Sequence, residues 1–388
     1  MSTATARFDF PPLAEVRRNF RVKWYRCPID PAVLRTLMQR SDLQGAFQTL
    51  GHLGLFAVTG AVTAWCFAHG LWLPFAIALW CHGTVGTFFR GLAVHELGHG
   101  TVFRTRWLNR FFLRVLSLLS WWNHHEYAMS HTYHHRYTLH PDGDREVLLP
   151  LDLGLSARSV VQMLTVNVDG MIRVVGEAGR MAIPRYNLKV SGIHTSEWTK
   201  ALFAIAPDVE RKAVRWARLT ILFHAAVLAV SAATGAWWLS IVLTGYLFVG
   251  NWLTYLCGKP MHAGLRDNVP DFRLCVRSNT LHPFVSFLYW RMNWHTEHHM
   301  FAGVPCYNLK KLAGVIADDM PATRTLFGSW REMLAIEKRR AQDPGYQFDT
   351  PLPPTAHPAV VSEAEVRLPA DERVKLEASI GELAPRGQ

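Results

Sequence analysis

The chain has 388 residues, of which 49 % are hydrophobic and only 18 % are charged, and it contains 15 tryptophans and 21 phenylalanines. Soluble proteins carry about 25 % charged residues, so this composition argues against one or two ordinary soluble domains. The net charge of +11 suits an anionic membrane surface. Without a zinc finger or an RNA-stacking motif, we expect no nucleic acid partner.

The N-terminal segment and the cysteines both indicate a chain that faces the cytosol. Residues 1–48 are polar and basic, and they lack the early apolar core of a signal peptide. The six cysteines form no C-x-x-C pair, and several lie in apolar stretches. We therefore expect reduced thiols rather than a disulfide framework.

Four apolar runs follow, at residues 50–69, 71–90, 217–234 and 237–257. Each approaches the roughly 20 residues that a helix needs to cross a bilayer. No Lys or Arg separates the members of either pair of runs, whereas basic residues crowd the other sides. The positive-inside rule then places both termini in the cytosol. The predicted fold is an all-α integral membrane protein, with four transmembrane helices in two hairpins under a cytosolic helical cap.

The rest of the chain is assigned to this frame. The membrane domain is predicted at 49–312, and 313–388 is predicted to form a C-terminal cytosolic helix and a polar, Pro-rich tail that is loosely ordered beyond about residue 340. The stretch 108–122 is apolar but carries Arg110 and Arg114, so it is typical of a re-entrant or interfacial segment.

Eight histidines stand in three short boxes. The first box is His95-Glu96-Leu97-Gly98-His99, and the other two share the spacing H-x-x-H-H, with His131, His134 and His135 in one and His295, His298 and His299 in the other. Residues three and four apart share one face of a helix. Imidazole is a common ligand of zinc, iron and copper, and three such clusters exceed the needs of one tetrahedral zinc. The boxes predict two metal ions, or one ion with surplus histidines.

Other residues near the boxes are candidates for supporting roles. His262 follows the fourth apolar run on the same predicted face, and we expect it to be a ninth ligand. Four further side chains could orient imidazole N–H groups or hold a water, namely Glu96, Asp144, Asn293 and Glu297. The lone histidines His52, His82 and His224 are expected to be hydrogen-bonded core residues, and His124, His125 and His140 are not expected to bind metal.

A nitrogen-rich ligand set suits redox iron or copper better than magnesium or calcium. Two irons that activate O2 could remove hydrogen from an unactivated C–H bond, which no side chain does unaided. Because the boxes follow apolar spans, the expected substrate is a long acyl or isoprenoid chain.

The three boxes, set between two hairpins, resemble the membrane fatty acid desaturase/hydroxylase family over residues 50–312. Gly98-His99-Gly100 before Leu108-Asn109, and Val304-Pro305-Cys306-Tyr307-Asn308-Leu309 after the last box, add to the resemblance. It implies two non-haem iron ions held by His95, His99, His131, His134, His135, His262, His295, His298 and His299, with no catalytic residue assigned beyond that centre. It also implies O2 as co-substrate, and a separate ferredoxin, rubredoxin or cytochrome b5 with its reductase as electron donor. The expected activity is desaturation of a fatty acyl lipid or acyl-CoA, in a bacterial inner membrane.

Several alternatives remain open at this stage. Hydroxylation, oxidative decarboxylation and carotenoid oxidation start from the same centre, and the choice depends on angstrom-scale placement of the substrate. Glu96 stands where many acyl desaturases carry Asp, which weakens the choice of reaction.

The first box also fits the zinc protease motif H-E-x-x-H, with Asp169-Gly170 downstream. That hypothesis leaves both H-x-x-H-H boxes unexplained. A metal carrier or channel would place more polar residues inside the spans.

Overall fold

The computed structural model describes residues 10–151, 153–183 and 197–361, which are mainly helical. The first half contains α1 (Leu13–Asn19), α2 (Pro31–Leu37), α3 (Asp42–Ala68), α4 (Trp72–Gly86), α5 (Ala93–Gly98), α6 (Arg106–Leu119), α7 (His124–Tyr137), α8 (Ala157–Leu164) and α9 (Val168–Ala182). The second half contains α10 (Glu197–Ile205), α11 (Pro207–Thr234), α12 (Trp237–Ser240), α13 (Trp252–Gly258), α14 (Phe272–Cys275), α15 (Pro283–Leu288), α16 (His295–Met300), α17 (Leu309–Val315) and α18 (Leu326–Arg340). A π-helical turn spans Ile241–Gly245, and 3-10 turns lie at Thr87–Phe89, Tyr246–Phe248, Lys259–Met261, Cys306–Asn308 and Ala317–Asp319. The short strands β1 (Asn279–Thr280) and β2 (Arg324–Thr325) pair in parallel, with Asn279 opposite Arg324.

Among the described residues, three helical segments are long and apolar enough to cross a membrane, at Asp42–Ala68, Trp72–Gly98 and Pro207–Thr234. The first begins eight residues before the predicted span, because the Ser41 hydroxyl caps it by accepting a hydrogen bond from Gln44 N. Gly70, with φ +66°, then returns the chain into α4, and α4 packs along α3. The third segment ends at Gly235, whose φ of +71° gives a left-handed cap.

The fourth apolar run differs from the predicted continuous helix. Trp237–Phe248 is a shorter apolar helical stretch, and the chain then breaks at Gly250, where φ is +65°. Residues before α9 satisfy the freed backbone groups, since Asn167 N donates to Phe248 O (2.7 Å) and Gly250 N donates to Thr165 O (3.1 Å). Irregular backbone at membrane depth is tolerated where protein provides such partners. The number of membrane passes therefore stays a prediction.

The segment that contains this break, around Tyr246 and Val249, packs closely against α4. A Cβ atom on Gly83 would lie 2.1 Å from Val249 O and 2.8 Å from Tyr246 O. Only a residue without a side chain fits at this crossing, so Gly83 sets how near α4 comes to the chain that leads toward His262.

A buried arginine joins the C-terminal part of the described chain to the centre of the protein. Arg273 is fully buried and pairs with Asp271 (Nη2–Oδ2 2.7 Å) and with Asp319 (Nη1–Oδ1 2.9 Å). It also donates to His357 O and Pro358 O, each at 3.2 Å. Part of the predicted loose tail therefore docks on the folded protein, because the guanidinium donates to the carbonyls of His357 and Pro358. Residues 362–388 lie outside the described part.

We expect Gly83→Ala to destabilise the protein by about 1–3 kcal/mol, since the added methyl group must displace the backbone of Val249. The matched control is Gly54→Ala in α3, where a Cβ would meet no atom within 4 Å. Thermal unfolding in mild detergent should show a lower transition temperature for the first variant only. Equal transition temperatures for the two variants would contradict the proposed close approach.

Candidate metal centre

The structure brings all nine predicted histidines together in two adjacent groups. The first group contains His95, His99, His131, His135 and His298, and the second contains His134, His262, His295 and His299. Within each group, the candidate ligand atoms all lie within 4.8 Å of one another. Each group thus has the size of a single metal site.

Helical spacing divides the two H-x-x-H-H boxes between the groups. On α7, His131 and His135 are four residues apart and face the first group, whereas His134 faces the second. On α16 the division is reversed, because His298 joins the first group and His295 joins the second with His299. The groups therefore share a wall, in which the His135 and His299 ring centroids lie 4.4 Å apart.

Residues around the two groups form hydrogen bonds with the Nδ1 atoms of several of these histidines. The His134 Nδ1 lies 2.9 Å from Asp144 Oδ2, and the His262 Nδ1 lies 3.1 Å from the Cys275 carbonyl oxygen. The His299 Nδ1 lies 3.1 Å from the Thr138 hydroxyl oxygen. Such contacts set the tautomer and the ring orientation of a metal-binding histidine, so Nε2 is the atom left for an ion.

The inner Nε2 atoms face one another across each group. His295 and His262 approach at 3.0 Å, and His298 and His135 approach at 3.2 Å. The His131 Nε2 is buried without a hydrogen-bond partner among the described residues. Buried polar atoms are normally paired, so this convergence of lone-pair donors fits a shared cation.

Burial keeps most of these imidazoles neutral, which is the form that binds metal. It lowers the pKa of His262 to about 3, and it lowers the pKa of His295 and His299 well below the ordinary value. Burial opposes the charged form of His134 as well, but the nearby Asp144 carboxylate outweighs it and raises the pKa of His134.

The four predicted supporting residues differ in what they contact. Glu96 Oε1 lies 3.0 Å from His95 Nδ1 and 3.5 Å from His298 Nδ1, so it links the first box to the third. Asp144 contacts His134 and also accepts from Leu139 N (2.9 Å).

The other two supporting residues bind the protein around the third box. Asn293 donates to Asn279 O and accepts from the Ser286 hydroxyl. Glu297 accepts from the Ser278 hydroxyl at 2.5 Å. Both therefore position the loop and the helix that carry the third box.

One contact residue was missed by the sequence analysis. Glu146 Oε1 lies 3.2 Å from His131 Nδ1, and its other oxygen accepts from the Ser130 hydroxyl at 2.5 Å. No fixed spacing marks a carboxylate 15 residues after its histidine, and only the turn after α7 brings Glu146 back to the box.

The other histidines in the part of the chain that the structure describes stand outside both groups. His52, His82 and His224 each place a ring nitrogen 3.0 Å from a backbone carbonyl oxygen, of Val85, Val242 and Leu118 respectively. The His124 and His125 rings lie against each other at 4.1 Å, and the His140 Nδ1 lies 3.0 Å from Thr138 O.

Two comparisons with known proteins identify the family. Residues 70–330, more than half of the chain, match the model of the fatty acid desaturase family. The chain belongs to the fatty acid desaturase family. The predicted resemblance is thereby confirmed, and the protein is an oxidoreductase enzyme associated with membranes and lipid metabolism.

A curated relative supports the same assignment. The chain is 25 % identical over 359 residues to the sn-1 oleoyl-lipid 12-desaturase of Picosynechococcus sp. (strain ATCC 27264 / PCC 7002 / PR-6), covering 87 % of this chain and 94 % of that protein. Together with the family match, this relative supports a lipid as the substrate of this desaturase-family member.

We expect Asp144→Asn to weaken metal retention by about 10–100-fold. The carboxylate accepts from His134 Nδ1 and Leu139 N with one oxygen and from Glu146 N with the other, whereas the amide of Asn has only one accepting oxygen. Metal content after competition with a chelator, determined by mass spectrometry, measures the loss. The exposed neighbour Asp142 provides the control Asp142→Asn, and an equal loss in both variants would refute the role of Asp144.

Acidification should destabilise the metal-stripped protein. The folded pKa of His262 is about 3, below the unfolded value of about 6.5, so its contribution is complete above pH 6.5 and is lost as the pH falls toward 3. His295 and His299 act in the same direction. The transition temperature in detergent should therefore fall from about pH 7 to about pH 5. The exposed-site variant His69→Gln should keep this slope, and a flat or rising profile would refute the prediction.

Proposed function

We propose that the nine histidines bind two non-haem irons and that the protein uses O2 to desaturate the acyl chain of a membrane lipid. The observation that carries the proposal is the pair of adjacent groups in which Nε2 atoms converge. A ligand set made only of imidazoles suits iron, copper or zinc and not magnesium or calcium. Bound irons would supply O2 activation and hydrogen abstraction from a methylene group, which the side chains do not provide.

The residues around the irons would hold the ligands and exclude water. Five histidines would hold one ion and four the other, so the second ion would keep more of its coordination sphere for other ligands. Asp144 and Glu146 would fix His134 and His131 from outside, and Glu96 would tie the first and third boxes into one unit. The buried side chains of Leu97 and Met300 lie in the same short helices as the histidines of the first and third boxes, and they would help to keep bulk water from the site.

The position of Glu96 argues against the zinc protease hypothesis. A general base must reach the water that it activates, but Glu96 is fully buried and lies between two imidazoles of the first group. Its contacts suit a positioning role, and the two other boxes complete the same group.

An acyl lipid fits the surroundings of the site. His95 lies within the apolar segment Trp72–Gly98, so a chain in the bilayer would reach the first group without passing through water. The name of the Picosynechococcus relative specifies lipid desaturation, which favours this reaction over hydroxylation, decarboxylation or carotenoid oxidation. We propose the two-hairpin topology, with four passes through a bacterial inner membrane and with both termini and the metal site on its cytosolic side.

The proposed reaction requires electrons from a partner protein. Double-bond formation removes two hydrogen atoms from the acyl chain, and reduction of O2 to two water molecules takes four electrons in all. Two electrons must therefore come from outside, and we propose a separate donor of the ferredoxin, rubredoxin or cytochrome b5 type with its reductase.

Metal analysis combined with lipid analysis tests the proposal. Wild-type protein purified in mild detergent should contain about two irons per chain and little zinc. His131→Ala should lose most of the iron, and His125→Ala, on the same helix but outside both groups, should keep it. Cells that express the wild type should gain a double bond in their lipid acyl chains only in the presence of O2. One zinc per chain that is retained in His131→Ala would overturn the proposal.

A further inference from the structure

Helix α6 presents a cationic surface that the proposed reaction does not use. Residues 99–123 contain no Asp or Glu, and the arginines of this stretch are exposed, at Arg104, Arg106, Arg110 and Arg114. None of them pairs with a carboxylate within 4 Å in the part of the chain that the structure describes. Asp42 lies close enough to Arg104 for an electrostatic interaction, whereas Arg106, Arg110 and Arg114 face outward without a paired carboxylate among the described residues.

Aromatic side chains lie among these charges. Trp107 is 59 % exposed and Phe111 is 50 % exposed, and with Arg110 and Arg114 they follow the i, i+3, i+4, i+7 pattern of a single helical face. The opposite face is fixed to the protein, because Asn109 makes two hydrogen bonds to the backbone of Phe103. The outward face is therefore a stable mixture of guanidinium groups and large apolar rings.

The contacts at the two ends of α6 indicate where this helix lies along the apolar helices. Just before its first turn, Thr105 donates to the Asp42 carboxylate from its backbone N (2.9 Å) and from its hydroxyl (2.7 Å), and Asp42 is the first residue of the apolar segment α3. At the other end, the Leu119 carbonyl accepts from the Tyr246 hydroxyl (3.2 Å), and Tyr246 lies in the apolar stretch Trp237–Phe248. Helix α6 thus runs from the polar end of one apolar helix into the side of another.

We propose that this face of α6 binds phospholipids with a net negative head group, in the leaflet beside the two histidine groups. Guanidinium groups match phosphate in charge and geometry, and basic helices with exposed aromatic residues lie at anionic membrane interfaces. An acidic protein partner would match the charges, but it leaves the exposed Trp107 and Phe111 at the edge of an apolar helix bundle without a role. Helix α6 begins seven residues after His99, so this face gathers anionic lipid next to the first group. The proposal requires that α3 crosses the bilayer, and it does not depend on iron or on the reaction.

Lipid retention by the full chain in detergent tests the proposal. The probes are phosphatidylglycerol and phosphatidylcholine with identical acyl chains, supplied in equal amounts, and native mass spectrometry counts the bound lipids. The wild type should retain phosphatidylglycerol about fivefold or more over phosphatidylcholine at low salt, and high salt should reduce this preference. Combined substitution of Arg104, Arg106, Arg110 and Arg114 by Gln should abolish it.

A matched control separates this face from general basicity. Lys310, Lys311, Arg331 and Lys338 are also exposed, and their combined substitution by Gln removes the same charge from α17 and α18. This control should keep the preference of the wild type. Loss of the preference in both variants, or in neither, would overturn the proposal.

A second measurement does not need the fourfold variant to fold. The tryptophan emission of wild type minus that of Trp107→Phe isolates Trp107, which should be quenched more strongly by brominated phosphatidylglycerol than by brominated phosphatidylcholine. Equal quenching by the two lipids would show a bilayer contact without charge selection and would refute the proposal. Binding of an acidic protein that is lost on Arg110→Gln while lipid retention is unchanged would also overturn it.

Discussion

Helices α7 and α16 each contribute to both imidazole groups, and this sharing constrains the rest of the molecule. A small rotation of either helix would move ligands out of both groups at once, because His134 and His135 are neighbours that face different groups. The site therefore depends on how rigidly the box helices are held. Three carboxylates help to hold these helices. Glu96 joins the first box to His298, and Asp144 and Glu146, which follow α7, contact His134 and His131.

The buried ion pairs of Arg273 extend the same support to the C-terminal part of the described chain. A buried guanidinium is costly unless its donors are paired, and Arg273 meets this need with Asp271, Asp319 and two carbonyls of the C-terminal strap, residues 341–361. Between Asp271 and Arg273, Phe272 packs its ring 5.6 Å from that of His299. The arginine thus ties the strap to the wall of the second group.

Local features were predictable from the sequence and long-range pairings were not. Box spacing, the position of His262 after an apolar run, and the apolar segments follow from helix periodicity and hydropathy. The contact of Glu146 with His131 and the docking of His357 on Arg273 join residues with no common sequence signature. The break at Gly250 depends on backbone hydrogen bonds with Thr165 and Asn167, about 85 residues away in sequence. A sliding-window hydropathy profile contains no such distant partner, so it predicts one continuous run.

That break has a geometric reason. An unbroken helix from Trp237 to His262 would be about 39 Å long, which exceeds the roughly 30 Å apolar thickness of a bilayer and would carry His262 away from the other boxes. Breaking the helix at Gly250 redirects the chain, so that α13 and the turn Lys259–Met261 deliver His262 to within 3.0 Å of His295. Tyr246, just before the break, also supports the end of α6. One interruption of an apolar helix therefore completes the second imidazole group and fixes the depth of the cationic helix beside the first.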